Sequence, residues 1–265
     1  MAGMTRTISV IGIGTGDPGL LTGEAAEELR RTDVFLVADK GEVKEDLVEA
    51  RRAICETVIG DAHPYCFVPV PDPRRGPDAE RDAEQYRAGV ADWYAARVAA
   101  YASIISGLAT DARVGFLVWG DPAFYDGTLR IIGALRDACG PFEVRVLPGI
   151  SAPQLLAARH AIALNRVGTS IHITTGRRLL EEYSPSLGDV VVMLDSHLAC
   201  RGLVERFPDL WIYWGAYLGG PHEVLRSGRL AEVIDELVEL RTGLRERHGW
   251  VMDTYLLRPG RRSGR

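Results

Sequence analysis

The stretch GIGTGDPGLLT, residues 12–22, follows the apolar run ISVI at residues 8–11. Gly14, Gly16 and Gly19 match the G-x-G-x-x-G pattern of a dinucleotide-binding loop. An acid, Asp39, follows about twenty residues further on, where such proteins bind the ribose. The loop therefore raises the hypothesis of an NAD(P)-binding protein.

The rest of the loop argues against a dinucleotide. A Rossmann helix begins directly behind its glycines, so that its first amides face the pyrophosphate. Here Asp17 and Pro18 intervene, and the best N-cap residue is Thr22, so the helix begins too late. Asp17 would also repel a pyrophosphate. We therefore favour another ligand, with a plain strand-to-helix turn as the alternative.

The composition sets further limits. A chain of 265 residues, 46% of them hydrophobic, has room for one large or two modest domains with their own cores. A net charge of −5 disfavours nucleic acid as a partner. We expect a cytoplasmic protein with no membrane contact, because neither a signal segment nor a long apolar run occurs. The four scattered cysteines predict neither a disulfide framework nor a metal site.

Short β-rich runs alternate with helical patterns along the whole chain, which is typical of an α/β protein with a largely parallel sheet. Nine runs are predicted strands: TISVIGIG, DVFLVAD, CFVPV, RVGFLVWG, FEVRVLPG, SIHITTG, DVVVMLDS, LWIYWGAYL and WVMDTYLLR. Helices are predicted over residues 22–31, 42–58, 78–108, 127–138, 179–183, 199–207 and 230–246. We place a domain boundary near Gly149, which gives domains 1–149 and 150–265, each with its own sheet.

Two further loops follow predicted strands. One is WGDPAFYDG at residues 119–127, which repeats the G-D-P of the first loop, and the other is PGISA at residues 148–152. Ligands of open parallel sheets bind outside the carboxyl ends of the strands. The three loops together therefore predict a ligand site.

In this order the three loops resemble those of the tetrapyrrole methylase family, whose members take a methyl group from S-adenosylmethionine. The family's first loop reads G-x-G-P-G-D-x-x-L-L-T, and here Thr15 replaces the proline. The resemblance spans nearly the whole chain, because residues 213–233 are similar to a late strand, turn and helix start of the family. Residues 118–131, 172–179, 213–220 and 249–258 most resemble members that methylate C-1 of precorrin-5 and release acetate in cobalamin biosynthesis.

The resemblance implies two α/β domains, the first with a largely parallel sheet and the second with a mixed sheet, with an active-site cleft between them. It also implies a homodimer. By position, the residues that it implies for binding S-adenosylmethionine are Trp119, Gly120, Asp121, Phe124, Ser151, Ala152, Met193, Leu194, Leu218 and Gly219.

The chemistry of this reaction indicates further residues. Methyl transfer needs positioned reactants and no covalent protein nucleophile. Loss of acetate needs a proton acceptor, for which Asp17 and Tyr125 are the candidates; His160 is also placed for it, but a core role is favoured there. A tetrapyrrole substrate carries carboxylates that pair with arginines, and the predicted partners are Arg130, Arg166, Arg177 and Arg178. The alternatives are another tetrapyrrole C-methyltransferase, with a different precorrin or uroporphyrinogen III as substrate, and an NAD(P)-binding protein.

Overall fold

A computed structural model describes residues 5–39, 45–73 and 83–260. The chain divides into two units, Met1–Ile150 and Ser151–Arg265, and each unit has a five-stranded sheet. The described residues contain no helix that is both long and apolar enough to cross a bilayer.

The first sheet is entirely parallel, and its strand order is β3-β2-β4-β1-β5. Its strands are β1 (Thr7–Gly12), β2 (Val34–Asp39), β3 (Cys66–Pro71), β4 (Arg113–Val118) and β5 (Glu143–Leu147). Strands β1 and β4 are buried on both faces, which explains their nearly continuous apolar sequences. Because all five strands run in one direction, their carboxyl ends share one edge of the sheet.

Helices cover both faces of this sheet. They are α1 (Gly23–Leu29), α2 (Glu45–Ile59), α3 (Ala83–Gly107) and α4 (Thr128–Cys139). Ile8 and Val10 belong to a core cluster with residues of α3 and α4, whereas Ile11 belongs to a second cluster with residues of α1 and α2. This division follows from the alternation of side chains along a strand.

The second sheet is mixed, with the order β6-β7-β10-β8-β9. Its strands are β6 (Ile171–Thr175), β7 (Asp189–Met193), β8 (Trp211–Ala216), β9 (Val224–Arg229) and β10 (Asp253–Arg258). Only β6 and β7 pair in parallel, and the other pairs are antiparallel. The helices of this unit are α5 (Ala152–Arg159), α6 (Gly176–Glu182) and α7 (Leu230–His248). Strands β6, β7 and β8 therefore end at the same edge, with the start of β10 between β7 and β8.

The predicted fold class is confirmed, since the first sheet is parallel and the second is mixed. One strand was missed, and one local prediction was wrong. Strand β9 was not predicted, because its sequence VLRSGR is polar and only partly buried. Residues 199–207 were predicted as a helix, but the structure has a short 3-10 helix, Ala199–Leu203, which follows Leu198 in a left-handed conformation. The predicted starts of α2 at residue 42 and of α3 at residue 78 lie outside the described residues.

Candidate active site

Three glycines bring the predicted loops of the first unit together. Strands β1, β4 and β5 are neighbours, and Gly12, Gly120 and Gly149 lie at their carboxyl ends. A Cβ atom on Gly149 would lie 2.1 Å from the carbonyl oxygen of Gly120, and one on Gly12 would lie 2.5 Å from the amide nitrogen of Gly149. The three backbones are thus in direct contact, and a Cβ atom has no room at Gly12 or Gly149.

The first loop is joined to the second by its backbone. Gly14 and Gly120 exchange two hydrogen bonds, with N···O distances of 3.2 and 2.6 Å. Asp17 accepts a hydrogen bond from the amide of Gly19 at 2.8 Å and caps the 3-10 turn Pro18–Leu20. Helix α1 begins only at Gly23, after Thr22 as N-cap. The late helix start that argued against a dinucleotide is therefore present in the structure.

Asp121 connects the second loop to the third. One carboxylate oxygen accepts a hydrogen bond from the amide of Ala123 at 2.8 Å, and the other accepts one from Gly149 at 3.0 Å. Phe124 is half-buried, and Tyr125 is exposed in a left-handed conformation, with φ of 52°. Left-handed conformations of residues other than glycine are strained and concentrate at functional sites.

In the second unit, Ser151 is the N-cap residue of α5, and Ala152 is its first residue. The amide and the hydroxyl of Ser151 both donate to the side-chain oxygen of Gln154, at 2.8 Å each. The start of this helix is therefore fixed by side-chain contacts as well as by its backbone.

Met193 ends β7, and Leu194 follows in a left-handed conformation with φ of 52°. The side chain of Leu194 is 66% exposed, although it is apolar. The next residue, Asp195, is buried and accepts hydrogen bonds from the amides of His197 and Ala199 and from the hydroxyl of Tyr255, at 3.0, 2.7 and 2.5 Å. These bonds hold the turn that presents Leu194 to solvent.

Arg241 completes this support from helix α7. It donates to the carbonyl oxygen of Asp195 at 3.0 Å and to that of Ser196 at 2.8 Å. It also forms an ion pair with Asp253 at 3.0 Å, and Asp253 accepts a further hydrogen bond from the indole of Trp214 at 2.9 Å. Burial raises the pKa of Asp253 and raises that of Tyr255 well above its usual value, so Tyr255 remains a donor to Asp195 at neutral pH.

Leu218 and Gly219 follow β8 at the same edge of the sheet. Tyr217, the residue before them, has φ of 49° and donates a hydrogen bond to the carbonyl oxygen of Trp250. The amide of Gly219 donates to Glu223 at 2.6 Å, and Glu223 pairs with Arg159 at 2.9 Å. The turn that carries Leu218 is thereby held on both sides.

The four arginines predicted to bind substrate have different surroundings. Arg166 lies 3.6 Å from Asp189 and donates to the carbonyl oxygen of Pro259, whereas Arg178 pairs with Glu182 at 2.5 Å. Arg130 and Arg177 are exposed. His160 lies 3.0 Å from the carbonyl oxygen of Trp214 and contacts the ring of Tyr213, which is consistent with a core role.

The sequence analysis missed Asp195, Arg241 and Arg51. Asp195 and Arg241 are separated by more than forty residues along the chain and meet only through the fold. Arg51 lies in α2 and contacts the indole ring of Trp119. A single arginine in a charged helix is usually exposed, so its sequence context carries no signal for this contact.

The residues at these strand ends fit S-adenosylmethionine. Such a ligand needs an apolar surface for its adenine and polar groups for its ribose and amino acid. In the second unit, Leu194 supplies such an exposed apolar surface. The described residues contain no cluster of three metal-binding side chains.

Comparisons with known proteins identify the class. Residues 7–234 match the model of the family described as tetrapyrrole (corrin/porphyrin) methylases. Over 265 residues, 98% of this chain and 97% of the relative, the sequence is 42% identical to a precorrin-6A synthase [deacetylating] of Sinorhizobium sp. The chain therefore belongs to the tetrapyrrole methylase family. This membership confirms the predicted enzyme class, a methyltransferase that uses S-adenosylmethionine.

Solved structures agree with this assignment. A cobalamin synthesis related protein from Corynebacterium diphtheriae is 40% identical, with a TM-score of 0.81, and the likeness covers 96% of this chain and 98% of that one. A uroporphyrin-III C-methyltransferase from Thermus thermophilus, complexed with S-adenosylhomocysteine, is 20% identical, with a TM-score of 0.55, over 95% of this chain and 91% of that one. This second likeness concerns the fold.

Proposed function

We propose that the chain is a precorrin-6A synthase of the deacetylating type, which methylates C-1 of precorrin-5 and releases acetate. The observation that carries the proposal is the 42% identity to the Sinorhizobium enzyme over nearly the full length of both chains. The contact of the loops at Gly12, Gly120 and Gly149 supports it, because these are the loops on which the family resemblance rests.

S-adenosylmethionine supplies an electrophilic methyl group on a cationic sulfur. In the transfer, an electron pair of the electron-rich ring would form the bond between C-1 and the methyl group, the bond between sulfur and methyl would break, a neutral thioether would leave, and the methylated ring would lose a proton. The chain's own task is to hold the reactants in line and to keep water away, and such positioning contributes about 7 to 11 kcal/mol in well-oriented reactions.

The predicted cofactor-binding residues occur in both units. In the first unit, Trp119, Gly120 and Phe124 line the second loop, and Asp121 keeps its position through Ala123 and Gly149. In the second unit, the binding residues are Ser151, Ala152, Met193, Leu194, Leu218 and Gly219. The exposed side chain of Leu194 provides the apolar contact.

Loss of acetate is a hydrolysis. Water adds to the acetyl carbonyl, the carbon–carbon bond to the ring breaks, and the ring carbon takes up a proton as acetate leaves. Tyr125 and Asp17 are the proposed groups for the proton transfers. Tyr125 is 48% exposed at the second loop, and Asp17 accepts the hydrogen bond that caps its own turn.

The carboxylates of the substrate are the proposed partners of the four arginines. Arg130 and Arg177 are exposed, so they pair with a ligand at little cost. Arg166 and Arg178 would keep their partners Asp189 and Glu182 and contribute through their remaining N–H groups. We also propose that the chain is a cytoplasmic homodimer. The family resemblance supports the dimer, and sedimentation of the purified chain tests it.

The test is incubation with precorrin-5 and S-adenosylmethionine labelled in its methyl group. We expect the label at C-1 and one acetate released for each methyl transferred. Methylation at another carbon, or transfer without acetate, would replace the proposal by another tetrapyrrole C-methyltransferase. Calorimetric titration with S-adenosylhomocysteine and with NADH tests the NAD(P) alternative. That alternative requires a heat of binding with NADH and none with S-adenosylhomocysteine.

Asp121 provides a test of the cofactor site. Asp121→Ala is expected to weaken binding of S-adenosylhomocysteine by about 1 kcal/mol or more, since it removes a charged hydrogen-bond acceptor that also positions Gly149. Asp137→Ala, at an exposed position of α4, is the matched control. Equal affinities of the two variants would remove Asp121 from the site.

A further inference from the structure

Arg51 is held beside the carboxyl end of β4. Its Nε donates to the carbonyl oxygen of Leu117 at 3.3 Å, and one terminal nitrogen donates to that of Leu47 at 3.0 Å. The guanidinium lies 5.1 Å from the ring centroid of Trp119, at cation–π distance. These three contacts fix its plane, and the other terminal nitrogen has no acceptor among the described residues.

The charge of Arg51 has no close acidic partner in the part of the chain that the structure describes. Among the described residues no carboxylate lies within 4.0 Å of it, whereas Arg97, Arg241 and Arg258 each have one at 3.0 to 3.1 Å. The charge of Asp126 raises the pKa of Arg51 without an ion-pair contact. Asp126 already accepts a hydrogen bond from the amide of Thr128 at 2.7 Å. Burial lowers the pKa of Arg51 to about 10, so it is still charged at neutral pH. A desolvated charge of this kind is costly unless an anion pairs with it.

Two further donors near the ends of β1 and β4 are also unsatisfied. The indole nitrogen of Trp119 and the hydroxyl of Thr15 are buried and have no hydrogen-bond partner in the described ranges. The backbone after Thr15 contacts the indole, because a Cβ atom on Gly16 would lie 2.6 Å from Cζ3 of Trp119, on the benzene edge of the ring. An indole N–H can only donate, so it is satisfied only by an acceptor.

We propose that Arg51, Trp119 and Thr15 form a subsite for a carboxylate of the tetrapyrrole substrate. The subsite rests on the proposed function, since that function supplies a ligand with acid side chains. A carboxylate oxygen accepts from the open nitrogen of Arg51 and from the indole of Trp119, and the hydroxyl of Thr15 donates to the same group. Thr15 stands where the family pattern has proline, which has no hydroxyl, so this contact is a feature of the present chain.

The test measures binding without turnover. The probes are uroporphyrin III, a stable tetrapyrrole with many carboxylates, its neutral methyl ester, and S-adenosylhomocysteine, which carries one carboxylate of its own. Arg51→Met removes the charge and keeps much of the length of the side chain. The matched control is Arg52→Met, because Arg52 is exposed and its guanidinium lies 4.7 Å from the ring of Phe67, a similar contact outside the subsite.

We expect Arg51→Met to weaken uroporphyrin binding about tenfold or more, as for loss of a hydrogen-bonded charge, and to leave the affinity for the ester and for S-adenosylhomocysteine unchanged. Arg52→Met is expected to bind all three as the unaltered chain does. Weaker binding of S-adenosylhomocysteine to Arg51→Met would assign the carboxylate to the cofactor and overturn the proposal. Equal uroporphyrin binding by both variants, or none by the unaltered chain, would also overturn it.

Thr15→Val is the second variant, in case Arg51→Met fails to fold. It removes one hydroxyl without changing shape or charge, and we expect about a tenfold loss of uroporphyrin affinity, as for one hydrogen bond to a charged group. An unchanged affinity would exclude Thr15 from the subsite. The subsite and the proposed function are tested separately. Weaker uroporphyrin binding by Arg51→Met would support the subsite, and no methylation of precorrin-5 by the unaltered chain would reject the proposed function.

Discussion

The carboxyl ends of the strands are shaped in opposite ways in the two units. In the first unit the loops meet at the backbone of Gly120 because Gly12 and Gly149 have no side chains. In the second unit the turn after β7 is held by buried polar side chains, with Asp195 and Arg241 at the centre. The first arrangement depends on space that must stay empty, and the second depends on donors and acceptors that must stay paired. We call the carboxyl ends of the strands the first edge in the first unit and the second edge in the second unit. The two edges should respond to different substitutions.

Adding one methyl group to the first edge is expected to have the largest effect. Gly149→Ala places a Cβ atom 2.1 Å from the carbonyl oxygen of Gly120, so the backbone must move, at a cost of about 3 kcal/mol in unfolding free energy. Urea unfolding measures it. The control is Gly133→Ala in α4, where nothing lies within 4 Å of the added atom, and a gain of about 0.5 to 1 kcal/mol is expected. Equal stabilities would contradict the backbone contact.

Removing one carboxylate from the second edge comes next. Asp195→Ala leaves the amides of His197 and Ala199 and the hydroxyl of Tyr255 without their acceptor, and we expect a loss of about 2 kcal/mol in unfolding free energy. The matched variant Asp235→Ala lies on the exposed side of α7 and should leave stability nearly unchanged. If both variants unfold at the same urea concentration, the polar network does not hold this edge.

Leu194 sharpens the comparison, because the second edge also stores backbone strain. Leu194→Gly relieves the left-handed conformation at little loss of buried surface, so we expect a gain of about 1 kcal/mol in unfolding free energy. At the same time, binding of S-adenosylhomocysteine should weaken about tenfold, since the apolar contact is lost. Calorimetry and urea unfolding on one sample measure both. If stability rises and the affinity for S-adenosylhomocysteine does not change, the left-handed conformation of Leu194 does not contribute to binding this ligand.

The smallest effect is expected at Glu182, near the end of β6. Hydrogen bonds from Thr174, His172 and Arg178 lower the pKa of Glu182 to about 2. A carboxyl with a lowered pKa stabilises the folded state above its unfolded value of 4.5, and this contribution is lost as the pH falls towards 2. Glu182→Gln should therefore be less stable than the parent chain near neutral pH, with a difference that shrinks between pH 4.5 and 2. A difference independent of pH would contradict this assignment.

The sequence predicted the first edge better than the second. Its strands are continuous apolar runs, and its loops contain glycine, Asp17 and Thr22 at positions where local geometry demands them. Local signals of this kind are readable because each loop lies within a few residues of its strand. The family resemblance then supplied the ligand, which no local pattern could have identified.

The second edge was harder to predict because its contacts are distant in sequence. Asp195 and Tyr255 are separated by 60 residues, and the predicted role of Leu194 came from the resemblance alone. Strand β9 was missed for a related reason, since an edge strand that is half exposed lacks the apolar run of a central strand. The contact of Arg51 with Trp119 likewise joins two elements that no spacing rule connects.

The strand order of the second sheet has a consequence for folding during synthesis. Strand β10 is made last of the ten, yet it lies in the middle of its sheet, between β7 and β8. Until residues 253–258 have left the ribosome, β7 and β8 lack the partner that joins them. The first sheet is complete as soon as β5 is available, which allows it to form while the second is still being translated. A nascent chain arrested before β10 should thus show a protease-resistant first unit and an unprotected second one.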